Sequence, residues 1–304
     1  MQNPSSLYRF EADAADLGPR PGVLLVLLGG LIDAGHLQRI LGAHLLESGA
    51  AEAVASFDVD QLLDYRGRRP AMVFDQNRWV SYEDPSMILY RLADRDGQTY
   101  YLLVGPEPDY QWERVVEAVR ELVDRFGVTL TVSTHGIPMA VPHTRPVGVT
   151  AHATDRRLVA GAPPSPFGRV QVPASVAALL ELRLGESGRD ALGFAVHVPH
   201  YLAQSEWAEG ALTALNAVVD GTGLNLPNDE LVARAGAGRR EIARELSENA
   251  EATAVVSALE QQYDSFLAGQ QRPGLLATES AQIPSADELG AEFEQFLRNV
   301  SDED

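Results

Sequence analysis

Val23-Leu24-Leu25-Val26-Leu27-Leu28-Gly29-Gly30 is the stretch on which the fold class turns. Six apolar residues without a polar break suit a strand buried on both faces, as in a parallel sheet. The glycine pair ends it. In residues 34–47, Leu37, Ile40, Leu41, His44 and Leu45 recur at helical spacing, with Asp33 placed to cap the helix and Gly49 to stop it. Ala53-Val54-Ala55-Ser56-Phe57 reads as a second strand. This strand–helix–strand order, with glycines at the first turn, predicts an α/β fold with a mixed, largely parallel sheet between helices.

The middle of the chain reads as more antiparallel. Residues 71–74, 87–92 and 99–104 are strand candidates, and Asp94-Arg95-Asp96-Gly97 supplies a turn between the last two. Residues 110–126 form an amphipathic helix closed by Gly127, and residues 128–133 a further strand. A Pro- and Gly-rich passage, 136–146, precedes a strand at 147–151. A helix over 172–184 carries Pro173 in its first turn. Residues 190–198 read as the last core strand and 206–220 as another helix.

From Asn228 onward strand candidates vanish. Helices are expected over 231–246 and 250–266, with Leu246, Val255, Val256, Leu259, Tyr263 and Phe266 tracing an apolar stripe. The expected organisation is an α/β core over 1–226, a helical hairpin appendage over 227–268, and a linker with a terminal amphipathic helix over 269–304. The stripe needs a surface to cover it, which points to a homo-oligomer or an unidentified protein partner.

Composition narrows the chemistry. The 304 residues carry 43 acids against 24 bases, a formal charge of −19. Such a chain repels phosphate backbones and anionic lipid, so neither a nucleic-acid nor a membrane partner is expected. Every base is arginine. Without lysine there is no Walker-type phosphate contact, no Schiff base and no pyridoxal-phosphate anchor. Without cysteine there is no thiolate nucleophile, disulfide or iron–sulfur cluster. No basic stretch followed by an apolar core opens the chain, and residues 23–28 are far too few to cross a bilayer. A cytoplasmic protein without cofactor is expected.

Four places could carry chemistry. The Gly29–Gly30 turn can expose backbone N–H groups to an anion, although Gly-Gly-x-x-x-x-Gly is not the dinucleotide fingerprint Gly-x-Gly-x-x-Gly. His135 and the loop His143-Thr144-Arg145-Pro146 follow a core strand, where ligand crevices form in open α/β sheets. Spaced two apart on an extended loop, His143 and Arg145 would face one spot and suit an anion or a carboxylate. His200 follows another core strand, so His135, His143, Arg145 and His200 could gather at one sheet edge; no His spacing has the strength of a metal motif, and no metal is expected. Glu181 is a lesser candidate at the same edge. Finally, in Phe57 to Pro70, Asp58, Asp60 and Asp64 stand against Arg66, Arg68 and Arg69, with alternation placing Asp58 and Asp60 on one face. A structural network of ion pairs is the expected outcome.

This last run, Asp58-Val59-Asp60-Gln61-Leu62-Leu63-Asp64-Tyr65-Arg66-Gly67-Arg68-Arg69-Pro70, resembles the signature of the proteasome assembly chaperone 2 family. The Gly29–Gly35 turn and the loops around His143–Pro146 and Val198–Tyr201 share the likeness, which looks closest to the actinobacterial branch. The resemblance implies an α/β fold similar to that of purine nucleoside phosphorylases. It also implies a structural role for Asp58, Asp60, Asp64, Tyr65, Arg66, Arg69 and Pro70, and a part in assembling protein complexes. Two functions are therefore expected to compete. One is a non-catalytic assembly or scaffold protein. The other is an enzyme or small-molecule binder, hydrolase- or phosphorylase-like, using a His/Arg pocket at the C-terminal edge of the sheet for a nucleoside, phosphate or carboxylate.

Overall fold

In the computed structural model, residues 3–270 are described except 12, 13, 15–17, 19, 21, 31, 32, 164 and 166. The expected terminal helix over 285–300, and the expected linker from 271 on, lie outside the described residues. In chain order the first elements are β1 (Tyr8–Phe10), β2 (Gly22–Gly29), α1 (Leu37–Glu47), β3 (Glu52–Phe57), β4 (Met72–Asp75) and β5 (Arg78–Tyr82). Next come β6 (Ile88–Ala93), β7 (Thr99–Pro106), α2 (Trp112–Phe126), β8 (Val128–Met139) and β9 (Val149–Ala153). The series ends with α3 (Val176–Glu186), β10 (Ala191–Pro199), α4 (Ala208–Thr222), α5 (Asp229–Glu248) and α6 (Ala250–Gln270).

Eight strands form one sheet in the order β1-β3-β6-β7-β2-β8-β10-β9. Its centre, β7-β2-β8-β10, is parallel. Both flanks are antiparallel. Burial of β2 on both faces makes the split into two cores. Val23, Leu25 and Leu27 pack with α1 and α4, and Leu24, Val26 and Leu28 with α2 and α3. Burying each such side chain contributes about 1.5–3 kcal/mol. Leu231 and Ala235 of α5 join the α1/α4 core. The chain divides into two compact units, residues 1–261 and 262–304.

Five expectations change. β2 and β3 are not neighbours, because β7 and β6 lie between them. Tyr100, Tyr101, Leu102 and Leu103 of β7 are each at most 2% exposed, so β7 can take the doubly covered place beside β2. Residues 71–74 form a strand as expected, but outside the eight-stranded sheet; β4 pairs only with β5, and every residue of both strands is exposed. The helix expected from 172 begins at Val176, because Ser175 accepts the Ala178 N–H at 3.1 Å and caps it, leaving Pro173 outside. β8 continues to Met139 rather than ending at Ser133, so His135 lies within the sheet and not in a loop at its edge. Beyond Ser133 the ladder to β2 has stopped, and a strand with one ladder neighbour tolerates Pro138. Last, a 3-10 turn, Val59–Gln61, replaces the extended run that would have set Asp58 and Asp60 on one face.

Candidate functional site

The Gly29–Gly30 turn lies at the end of β2, where a cleft of about 400 Å³ is lined by Gly29, Gly30, Asp33, His36, Arg39 and Pro138. Two carboxylates of the chain already occupy the anion-attracting positions here. Asp33 accepts the Gln38 N–H of α1 with both oxygens at 3.1 Å. Burial pushes the Asp33 carboxyl up, against the lowering by the Gln38, Gly136 and Arg39 N–H groups and by His36. Glu107 is buried and accepts the Val176 N–H, the first of α3, at 2.7 Å. Its Oε2 lies 2.2 Å from where a Cβ on Gly30 would sit. Gly30 is thus required by Glu107, with no ligand needed to explain it. Glu107 was not singled out from the sequence, although an acid between Pro106 and Pro108 just past a buried strand is a signal of sorts.

His135 faces α3. Its ring centroid is 6.3 Å from that of His152 on β9, and His152 Nδ1 reaches both oxygens of Glu181 at 2.9–3.0 Å. The His152 ring lies over Gly193, where a Cβ would meet Cε1 at 2.0 Å. Burial, with the nearby His152, pushes His135 down to about 4, while Glu181 acts the other way. His152 was missed in the sequence. The visible signal was alternation, since Thr150 and His152 must share a face of β9. Thr150 Oγ1 lies 2.8 Å from His197 Nε2, extending this polar stripe across β10.

His143, Arg145 and His200 have other partners. The Tyr201 hydroxyl accepts the His143 backbone N–H at 2.9 Å and lies 2.8 Å from His143 Nδ1. The His200 ring meets the same tyrosine edge-on, at 5.4 Å. Arg145 Nη1 pairs with Glu260 of α6 at 3.1 Å, and Thr144 Oγ1 donates to the same carboxylate. Burial lowers the His143 pKa, opposed by Glu260. His143 and Arg145 thus have different hydrogen-bond partners, Tyr201 and Glu260, although the Glu260 charge bears on both. The loop is tied to Tyr201 by one and to α6 by the other.

The signature run is a series of local ties. Asp58 accepts from Gln61 Nε2 at 2.7 Å, Asp60 from the Tyr65 hydroxyl at 2.7 Å, and Asp64 from the Arg66 N–H at 2.9 Å. Arg68 reaches outward to Asp109 at 2.7 Å and to the Glu107 carbonyl at 2.9 Å. Among the described residues no ion pair joins Asp58, Asp60 or Asp64 to Arg66, Arg68 or Arg69, and the 3-10 turn and the Asp64 turn use those carboxylates locally. Arg66 and Arg69 are exposed and form no ion pair among the described residues. The hydrogen bond to Asp60 is the main reason that the Tyr65 phenol is pushed up to about 12; slight burial and the charges of Asp60, Tyr82 and Asp84 add to it. Asp58, Asp60 and Asp84 line a cleft of about 480 Å³ together with Arg9, Tyr8 and Phe57.

The PAC2 family model matches residues 27–246. The chain belongs to the PAC2 family. It is 42% identical to a Mycobacterium tuberculosis protein of unknown function, covering 87% of this chain and 91% of that one, with a TM-score of 0.83. A Corynebacterium glutamicum protein of unknown function is 37% identical, covering 88% and 99%, with a TM-score of 0.81. These relatives place the chain in the actinobacterial branch. A Mycobacterium tuberculosis proteasome-assembly chaperone homologue shares the fold at 24% identity, covering 77% and 99%, with a TM-score of 0.69. No curated protein matches.

On this PAC2 scaffold the candidate residues are held in three settings, at the Gly29–Gly30 cleft, beneath α3, and in the Tyr201-bound loop. Among the described residues no group of three or more His, Asp or Glu side chains is arranged to hold a metal ion. None of the described helices is long and apolar enough to cross a membrane. In chemical terms, Glu181, His152 and a neutral His135 form one polar cluster beneath α3, and the Gly29–Gly30 cleft has room for a small ligand between Asp33 and Arg39.

Proposed function

We propose that this PAC2 protein is a cytoplasmic, non-catalytic assembly factor that works through protein–protein contacts and as a homo-oligomer. One contrast carries the reading. His143 and Arg145, the polar groups a reaction would need, are committed to partners inside the fold, whereas large apolar side chains that a protein partner would cover stand in water on β4 and β5. Family membership and the likeness to a proteasome-assembly chaperone homologue support it. The test is reconstitution. Purified proteasome subunits are mixed with and without the protein, and ring formation is followed by native gel. Faster or more complete ring formation is expected, with His143→Ala as active as the wild type. Unchanged assembly kinetics at excess protein would remove proteasome assembly as its role.

A second reading, a small-molecule binder, draws on the cleft at Gly29–Gly30 and on the His135–His152–Glu181 group. Thermal melting against nucleosides, inorganic phosphate, carboxylates and divalent metals tests it. A shift that is lost in His135→Ala or Arg39→Ala favours binding at that place. No shift from any compound removes the reading.

A further inference from the structure

A cavity of about 490 Å³ lies between α4 and the strands β9 and β10. It shares no lining residue with the Gly29–Gly30 cleft, and it is on the α4 face of the sheet, away from the histidines beneath α3. Its size is within the roughly 300–1,000 Å³ of small-molecule sites. The floor is β10, where Leu192 and Phe194 are buried. One side is Leu158 and Val159, from the 3-10 turn Arg156–Val159. Small residues leave the space open. Ala151, Ala162 and Ala217 line it, and a Cβ on Gly161 would meet nothing within 4 Å. Gly221 has another role. A Cβ there would stand 2.8 Å from Phe194 Cζ and 2.9 Å from Leu192 Cδ2, so glycine is what lets α4 lie this close to β10.

The polar side chains of this cavity all come from α4. Thr213, Asn216 and Asp220 are spaced three and four apart, so they form one stripe beside Ala217. Thr213 donates its hydroxyl to the Glu209 carbonyl at 2.9 Å. Asn216 and Asp220 are exposed, and neither side chain has a hydrogen bond or ion pair among the described residues. Asp220 is the one charged residue among those lining the cavity. It stands in the last turn of α4, which holds no basic side chain. The end carbonyls of a helix already place negative partial charge there, so a carboxylate adds to a field of its own sign. We propose that the cavity binds a small amphipathic cation, a primary amine carried on an aromatic body. The ring packs on Phe194 and between Leu158, Val159 and Leu192. The ammonium donates to the Asp220 carboxylate and to the Asn216 amide oxygen, and it relieves the charge at the end of α4. An anion meets no base here and is repelled by Asp220. A neutral isostere fills the same space and leaves the carboxylate unmatched. The ligand class is thus opposite in charge to the phosphate and carboxylates considered for the Gly29–Gly30 cleft.

The test is isothermal titration of the full chain with three probes of one shape: tryptamine as the cation, tryptophol as its neutral counterpart and indole-3-acetate as the anion. Tryptamine should bind about threefold or more tighter than tryptophol, and indole-3-acetate weakest of the three. Asp220→Asn should weaken tryptamine by about that factor and leave tryptophol unchanged, so that the two then bind alike; a merely structural effect would weaken both. Ala217→Leu puts a larger side chain into the space and should weaken both roughly tenfold or more. Gly161→Phe is a second filler, placed where a Cβ meets nothing, in case Ala217→Leu lowers the melting point. No binding of tryptamine at millimolar concentration overturns the site. Tryptophol or indole-3-acetate binding as tightly as tryptamine overturns the cationic class. Tryptamine binding at full strength in both filled variants overturns the location.

Discussion

Gly136→Ala is a sharp test of how the fold holds the Gly29–Gly30 cleft. A Cβ at Gly136 would stand 2.0 Å from the Ala34 carbonyl oxygen and 3.0 Å from Val198 Cγ2. The first is backbone, and that backbone cannot move freely. Gly35 donates its N–H to the Ala203 carbonyl at 2.9 Å, and Trp207 donates to the Gly35 carbonyl at 3.0 Å. Shifting the turn by the ångström or so required strains or breaks both bonds, at about 0.5–1.5 kcal/mol each. Overpacking against Val198 adds about 1–3 kcal/mol. The expected destabilisation is therefore about 2–6 kcal/mol. A melting point lower by roughly 2–4 °C per kcal/mol should follow for a unit of this size, measured by calorimetry or urea unfolding. Gly161→Ala is the control, since a Cβ there meets nothing within 4 Å. If Gly136→Ala unfolds within about 0.5 kcal/mol of the wild type, the range for a neutral surface change, the 34–36 turn does not press on β8 and the reasoning fails.

Other outcomes follow from single contacts. Glu107→Ala removes the carboxylate that accepts the Val176 N–H and should cost about 1–3 kcal/mol in urea unfolding, since a buried donor is left unpaired; an unchanged midpoint would refute its capping role. Tyr201→Phe deletes the hydroxyl shared by the His143 N–H and ring and should cost about 1–2 kcal/mol, with faster proteolysis of the 140–146 loop as a second readout. His135 gives a pH test. Its folded pKa, about 4, lies below the unfolded value near 6.5, so on acidification the unfolded chain takes up the proton first and stability falls between these values. Between about pH 7.5 and about pH 5 the wild type should lose about 2 kcal/mol more than His135→Asn; equal losses would show that His135 titrates normally.

Much of the fold was legible before the structure. The apolar run 23–28, the stripe of α2 and the all-helical end each obey a local period, and burial demands that period wherever the element finally packs. The ends of elements were legible less well, because Ser175 competes with Pro173 for the helix start and the β10 ladder carries β8 past Ser133. Of the site, the residue types were visible but their grouping was not. His135 and His152 meet only because β8, β10 and β9 stand side by side and Gly193 leaves room for a ring between them.

Local sequence by itself determined the class of this protein: which segments are strands and helices, which faces are apolar, and, through the absence of lysine and cysteine, which chemistries are closed to it. Tertiary structure alone decided the rest. Strand order follows from competition among strands for the doubly covered centre, where β7 outranks β3. The same packing turns Asp33 and Glu107 into internal caps, ties His143 and Arg145 to Tyr201 and Glu260, and leaves the β4–β5 hairpin outside both cores. A period in the sequence states that a face must be covered; only the arrangement of the whole chain states by what.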